Sequence, residues 1–237
     1  MHEFALRQRF DLSLHSIGRE REPLLSLDGV LQEPAELVDY AATEVSFMPA
    51  WGPGGGYPGL RAPAPLNYVN KLVRALDPMI RRAFNLSDVK LARAECNFSM
   101  VVLPPGELLP LQRIPHFDTL DPLQFALLHY LCDEVMGGTA FYRHAATGFE
   151  TLSPERWPTY ETARASEVAT PDSPSQYIRG NTEYYRQTAA FKARFDRVII
   201  YRSRVLHSGQ IPKDFSFSDD PRTGRLTANI FINYVAN

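Results

Sequence analysis

The feature that most constrains this fold is the second half of the chain, a succession of short apolar stretches cut by glycine and proline. Residues 89–103 supply one or two strands before Pro104, Pro105 and Gly106 turn the chain. Residues 125–131 read as a further strand, 136–142 as a turn entering another, 197–201 as a strand, and 225–235 as a final one. Successive strand side chains point to opposite sides. The last segment therefore places Arg225, Thr227, Asn229, Phe231 and Asn233 on one face. A chain built from such pieces is mainly β.

The first half is mixed and reads as support. Residues 1–22 alternate apolar and charged groups without a strong period, with a solvated turn at Arg19–Glu22. Residues 23–31 suggest a strand, and 34–42 a helix with Pro34 in its first turn. Val69, Leu72, Val73, Leu76, Ile80 and Phe84 recur at helical spacing, which predicts a helix over 67–84 packed on the outside of a sheet. The glycine run from Gly52 to Gly56, with Pro53 inside it, fits neither a helix nor a central strand. Its spacing matches no phosphate-binding loop. It reads as a long surface loop, or as a lid offering Trp51, Tyr57 and Arg61 to a substrate. Residues 145–195 are polar and carry Pro154, Pro158, Pro171 and Pro174, as an insertion would, with an Asn181-capped helix expected over 181–192.

Composition excludes several classes. The chain is 44% hydrophobic and 22% charged with a net charge of −2, which argues for a globular core and against a dedicated nucleic-acid surface. No apolar run approaches a membrane span, and the N-terminal residues mix acid and base without an apolar leader. Two cysteines, Cys96 and Cys132, suit a reducing cytoplasm as buried thiols in neighbouring strands.

His116-Phe117-Asp118 carries the chemistry. At a strand end, His116 and Asp118 share a face and can grip one metal ion. A third ligand should come from elsewhere in the chain, and His207, in Leu206-His207-Ser208-Gly209, is the best candidate. Two histidines and a carboxylate on one side of a metal make the facial triad of non-haem Fe(II) oxygenases.

Four segments in order resemble the Fe(II)- and 2-oxoglutarate-dependent dioxygenases, closest to their prolyl-4-hydroxylase-like branch: His116–Asp118, the stretch 127–141 with its Gly137-Gly138-Thr139-Ala140-Phe141, residues 195–209, and Arg225-Leu226-Thr227. The resemblance implies an α+β, mainly β protein with a double-stranded β-helix (jelly-roll, cupin-like) core and flanking N-terminal helices. It implies one oxygenase domain over 1–237, with 1–88 as support and 89–237 as the core, interrupted by the insertion at about 145–195. It implies Fe(II) held by His116, Asp118 and His207. It also implies 2-oxoglutarate as cosubstrate, its far carboxylate held by Arg225 with Thr227 beside it and Tyr130 as a further donor. Arg222 competes with Arg225 as the anchor, because an unusually long loop separates His207 from that strand.

The implied reaction is hydroxylation of an unactivated carbon in a small metabolite, amino acid or peptide, using O2. Asp118 favours this over halogenation, because related halogenases replace that ligand with a small residue. Two other readings stay open, a cupin-like metalloenzyme without 2-oxoglutarate and a non-catalytic β-helix binding module. An acid salt-bridged to Arg225 would undo the cosubstrate reading. His129 is expected to be structural or exposed, and His2, His15 and His144 to lie at the surface. Arg202 and Arg204 are expected to be solvated or ion-paired, and Asn229 and Asn233 to be core amides or pocket donors.

Overall fold

The computed structural model describes residues 2–53, 55–168 and 176–237. Gly54, Pro171 and Pro174 lie outside the described residues. A hairpin of β1 (Asp11–Ile17) and β2 (Glu22–Asp28) opens the chain, and α1 (Pro34–Thr43) follows with proline at its start, where a missing N–H is harmless. A second hairpin, β3 (Met48–Gly52) and β4 (Gly55–Pro63), leads into α2 (Leu66–Ala83). The rest runs β5 (Val89–Val101), β6 (Gln124–Tyr130), β7 (Gly138–His144), α3 (Trp157–Val168), β8 (Tyr185–Lys192), β9 (Arg197–Arg202), β10 (His207–Gln210) and β11 (Leu226–Ala236). The protein is mainly β, as the strand-and-turn pattern requires.

The strands form an eight-stranded antiparallel sheet, ordered β1-β2-β9-β6-β11-β5-β4-β3, and a three-stranded one, ordered β10-β7-β8. Alternation divides the large sheet's side chains between two cores. Leu25, Leu27, Leu127, Ile200, Ala228 and Ile230 pack outward against α1 and α2, whose Leu37, Tyr68, Leu72 and Leu76 are fully buried. Leu24, Leu128, Tyr130, Ile199 and Tyr201 face inward and meet Phe141 of β7, so the small sheet closes over the large one. Ala140, Tyr142 and Tyr185 form a third core on the far side of the small sheet, under Tyr160 of α3. Truncating a core residue such as Leu72 removes transfer energy and leaves a cavity, at a cost of roughly 2–5 kcal/mol.

Several sequence expectations give way. Residues 181–192 are no helix: residues 185–192 are β8, which pairs with β7 from Gly138↔Lys192 to His144↔Tyr185. Asn181 caps nothing helical, and its Oδ1 accepts the Gln187 N–H at 2.8 Å. The glycine-rich stretch is no free loop, because β4 pairs with β5 from Gly59↔Val101 to Pro63↔Asn97. The turn at 19–22 is docked: Glu20 accepts from Thr151 at 2.6 Å and Arg156 at 2.8 Å, while Glu22 is buried between Arg202 and Arg204. His144 is buried against Glu167 and Thr147 rather than exposed. Cys96 lies on β5 and Cys132 just past β6, with β11 between those strands, and neither is in a disulfide. His129 is structural, joining Tyr68 at 2.7 Å to Asp196 at 3.0 Å. Among the described residues no helix is long and apolar enough to cross a membrane.

Candidate metal centre and its cavity

The segment carrying His116 lies alongside the free edge of β10. His116 and His207 exchange two backbone hydrogen bonds of 2.8 Å each, and the Asp118 N–H donates to the Ser203 carbonyl at 2.8 Å. Two distant pieces of sequence are thereby clamped, and three side chains converge. His116 Nε2 and His207 Nε2 each lie 3.8 Å from an Asp118 carboxylate oxygen, and one donor atom from each residue falls within 4.8 Å of the others. Two neighbouring ligands at about 2.1 Å from one ion lie roughly 3 Å apart, so closing on an ion asks the three donor atoms to draw together by about 1–2 Å, which side-chain rotation can supply.

The electrostatics suit a divalent cation. His207 Nδ1 donates to the Val205 carbonyl at 2.8 Å, which leaves the Nε2 lone pair free to face the site. Burial lowers the His207 imidazole to about 4, and His116, the more exposed of the two, is lowered in the same direction by partial desolvation and by the neighbouring His207. Both rings are therefore neutral ligands at neutral pH. Desolvation raises Asp118 to about 6, opposed by His116 and Arg61. Removing a carboxylate from water with no counter-ion is unfavourable, and a bound cation would relieve it.

The three residues sit where two cavities adjoin. An outer chamber of about 380 Å³ is walled by Tyr57, Val101, Ile114, Tyr177 and Ile211. An inner one of about 80 Å³ is lined by Thr139, Tyr201, His207, Thr227 and Asn229. Tyr57, Arg61, His116, Asp118, Gly209 and Arg225 line both.

Arg225 is buried at 3% exposure, and no acid pairs with it among the described residues. Its Nε–H donates to the Met136 carbonyl at 3.2 Å and its Nη2 to the Gly138 carbonyl at 2.8 Å. Of five guanidinium N–H groups, the Nη1 edge is left for a ligand carboxylate. The two carbonyls are set by the turn at Gly137, whose φ is +99° and where a Cβ would fall 1.7 Å from the Gln210 carbonyl oxygen. Only glycine fits there.

Arg222, the competing anchor, is exposed and paired to Asp39 at 2.9 Å, well apart from these chambers. Thr227 lines the inner chamber and lies 2.8 Å from Asn229 Oδ1, to which its hydroxyl donates. Tyr130 lines neither chamber: its hydroxyl donates to Thr139 at 2.6 Å and its ring lies under the Arg225 guanidinium at 6.0 Å. Tyr130 thus lies against Arg225, and the tyrosine that lines both chambers is Tyr57. The Tyr57 hydroxyl is buried close to Thr227, Arg225 and Arg61 but makes no hydrogen bond of normal geometry. Burial raises its pKa, so it stays an O–H donor.

Tyr57 and Arg61 were legible only as lid residues, and β4 instead builds them into the wall. Arg164, Tyr177 and Gln112 also line the outer chamber, and no sequence signal marked them. Gln112 holds the wall together, donating to the Gly56 carbonyl at 3.0 Å and accepting the Leu109 N–H at 2.8 Å.

The chain belongs to a family of unknown function, DUF6445, whose profile matches residues 8–232. No curated protein matches the sequence. Among solved structures, HygX from Streptomyces hygroscopicus with nickel, 2-oxoglutarate and hygromycin B bound is 15% identical, with a TM-score of 0.46, covering 89% of this chain and 82% of that one. The non-haem α-ketoglutarate-dependent epimerase SnoN from nogalamycin biosynthesis is 14% identical, with a TM-score of 0.48, covering 92% and 82%. An N-substituted L-amino acid dioxygenase from Burkholderia ambifaria AMMD is 10% identical, with a TM-score of 0.42, covering 96% and 94%. These likenesses are remote.

Proposed function

We propose that this DUF6445 member is a non-haem Fe(II)- and 2-oxoglutarate-dependent oxygenase that hydroxylates an unactivated carbon of a small molecule or peptide. The observation that carries the proposal is one shared cavity with His116, Asp118 and His207 on one wall and an acid-free buried guanidinium, Arg225, on another. A binding module has no need of both. The cupin-like alternative would let an internal acid neutralise Arg225, and among the described residues none does. The facing sheets, with the His116 segment joined to β10, support reading the core as a double-stranded β-helix of the prolyl-4-hydroxylase-like kind. Unpaired Cys96 and Cys132 are in keeping with work in a reducing cytoplasm.

In this reading the two neutral imidazoles and Asp118 are the protein's ligands to iron. The bound iron and 2-oxoglutarate supply the oxidising chemistry, in which O2 and 2-oxoglutarate yield succinate, CO2 and an oxidised substrate. Everything else falls to the chain. The Val205 carbonyl fixes the His207 tautomer and ring direction. Arg225 holds the far carboxylate of 2-oxoglutarate through its Nη1 edge, and the Tyr57 hydroxyl is a second donor to it. Val101, Leu111, Ile114 and Ile211 line the outer chamber with apolar surface, which limits water around the reacting groups.

The test is anaerobic addition of Fe(II) and then 2-oxoglutarate to the metal-free protein, followed in the visible spectrum. A weak charge-transfer band in wild type, lost in His116→Ala, is the expected result. Iron binding with no band on adding 2-oxoglutarate would refute the cosubstrate assignment.

A further inference from the structure

We infer that the primary substrate of this site is an anion, a small molecule bearing a carboxylate, and that Arg61 is the residue that binds it. The inference rests on the metal and 2-oxoglutarate reading above and extends it to the substrate.

Among the described residues, three guanidinium groups, Arg61, Arg164 and Arg225, line the outer chamber against a single carboxylate, Asp118. The charges can be set out. Fe(II) and Arg225 bring three positive charges, and Asp118 with 2-oxoglutarate brings three negative ones. The loaded site is then neutral, and Arg61 and Arg164 are left over. Elsewhere this chain answers its arginines with acids: Glu22 holds Arg202 and Arg204, and Asp28 holds Arg194 and Arg197. Neither Arg61 nor Arg164 has an ion pair among the described residues, and the Nε of each is buried without a hydrogen-bond partner. Leaving a buried guanidinium N–H without a partner is unfavourable unless a ligand completes it.

The two cations are held in place by aromatic rings rather than by acids. Arg61 lies over the Tyr57 ring at 4.9 Å, and Arg164 over Trp157 at 5.2 Å and Tyr160 at 5.9 Å. Such contacts orient a guanidinium and leave its N–H edge free. The two positions differ. Arg61 borders both chambers, as His116 and Asp118 do, whereas Arg164 borders only the outer one. A carboxylate on Arg61 therefore lies beside the metal ligands, so the carbon that is oxidised sits only a few bonds from the acid group. Arg164, further out, attracts the anion into the chamber.

The experiment uses full-length protein loaded with Ni(II), an inert stand-in for iron, and calorimetric titration in two arms. In the first, 2-oxoglutarate is titrated alone; absence of binding refutes the cosubstrate reading, and this inference falls with it. In the second, with 2-oxoglutarate held at saturation, matched probes are added: acetate and acetamide, benzoate and benzamide, hippurate and hippuramide. At least one acid is expected to bind more tightly than its amide by roughly ten- to a hundredfold, as for other charge-assisted contacts. Arg61→Gln should abolish that preference while 2-oxoglutarate still binds, and Arg61→Lys should restore part of it. If no acid is preferred, or the preference survives Arg61→Gln, the substrate inference is overturned while the cosubstrate reading stands.

Discussion

Replacing Arg225 by methionine separates a ligand-binding cation from a structural one. In the metal-free, ligand-free protein this guanidinium is buried with no counter-ion, and two of its N–H groups donate to backbone carbonyls of Met136 and Gly138. Losing those bonds costs about 1–3 kcal/mol, but removing an unpaired buried charge recovers much of it. The unliganded variant should therefore be destabilised by no more than about 2 kcal/mol. Ligand binding behaves differently. At a 2-oxoglutarate concentration about a hundredfold above its Kd, the Ni(II)-loaded wild type gains about 2.7 kcal/mol. For a domain of this size that raises Tm by roughly 5–11 °C. Loss of a bidentate charge-assisted contact, about 2–3 kcal/mol, weakens Kd by roughly 30- to 150-fold and brings it near the ligand concentration. The stabilisation then falls to about 0.3–0.9 kcal/mol, or ~1–4 °C. The assay is thermal unfolding of both proteins with Ni(II), with and without 2-oxoglutarate. If Arg225→Met keeps the full ligand-induced shift, Arg225 is not the anchor and the cosubstrate reasoning fails.

Four further outcomes are expected. Asp118→Ala should weaken Ni(II) binding by at least an order of magnitude and abolish iron-dependent turnover, and unchanged affinity by calorimetry would remove Asp118 from the ligand set. Gly137→Ala puts a side chain where φ is +99° and a Cβ meets the Gln210 carbonyl, displacing the carbonyls that hold Arg225. It should both lower Tm and weaken 2-oxoglutarate, whereas Tm loss alone would separate the turn from the anchor. Glu22→Gln strips the shared acid from Arg202 and Arg204, and partial exposure reduces the usual cost of breaking a buried pair to roughly 2–3 kcal/mol in urea unfolding, with Ni(II) affinity intact. Asp28 has a lowered pKa, chiefly through its hydrogen bond from Arg197, so its contribution is complete above the ordinary carboxylate value and is lost as pH falls through the depressed one. Asp28→Asn should flatten the fall in stability below about pH 4, and an unchanged acid limb would show that the pair contributes nothing.

The elements legible in the sequence are those whose pattern is local. The helix over 66–83 has a continuous apolar stripe, and β11, between β5 and β6, alternates from Leu226 to Tyr234 except at Phe231. Where tertiary pairing decides, the local signals mislead. Residues 185–192 have helix-compatible alanines and a preceding asparagine, yet the open edge of β7 takes them as a strand. Gly52, Gly55, Gly56 and Gly59 look like loop residues because glycine weakens a strand, but Gly52 ends the edge strand β3 and the other three lie on β4, which pairing with β3 and β5 holds in the sheet. Gly59 is required there, since a Cβ would fall 1.8 Å from the Met100 carbonyl oxygen.

The same division holds at the site and explains what was missed. His116 and Asp118 share a face by their spacing, and Arg225 and Thr227 by theirs, so the shared face of each pair was readable from i and i+2, while the resemblance supplied the role of Arg225 and Thr227. Tyr130 has that advantage too, one strand over and opposite Thr227, but register places its hydroxyl on Thr139 and not in the chamber. Register is a property of two strands and is invisible in either one. Tyr57 lines both chambers from β4, a stretch the sequence read as a surface loop or a lid. Arg61 follows from the same hairpin, four residues on, with its guanidinium carried back over the Tyr57 ring. The residues proposed to hold metal and cosubstrate thus sit in short motifs, while the rest of the outer chamber's lining comes from β4, α3 and the loop carrying Tyr177, brought together only by packing. A sequence reading reaches the reaction before it reaches the substrate, because one chemistry can be carried by a motif and the other is carried by a shape.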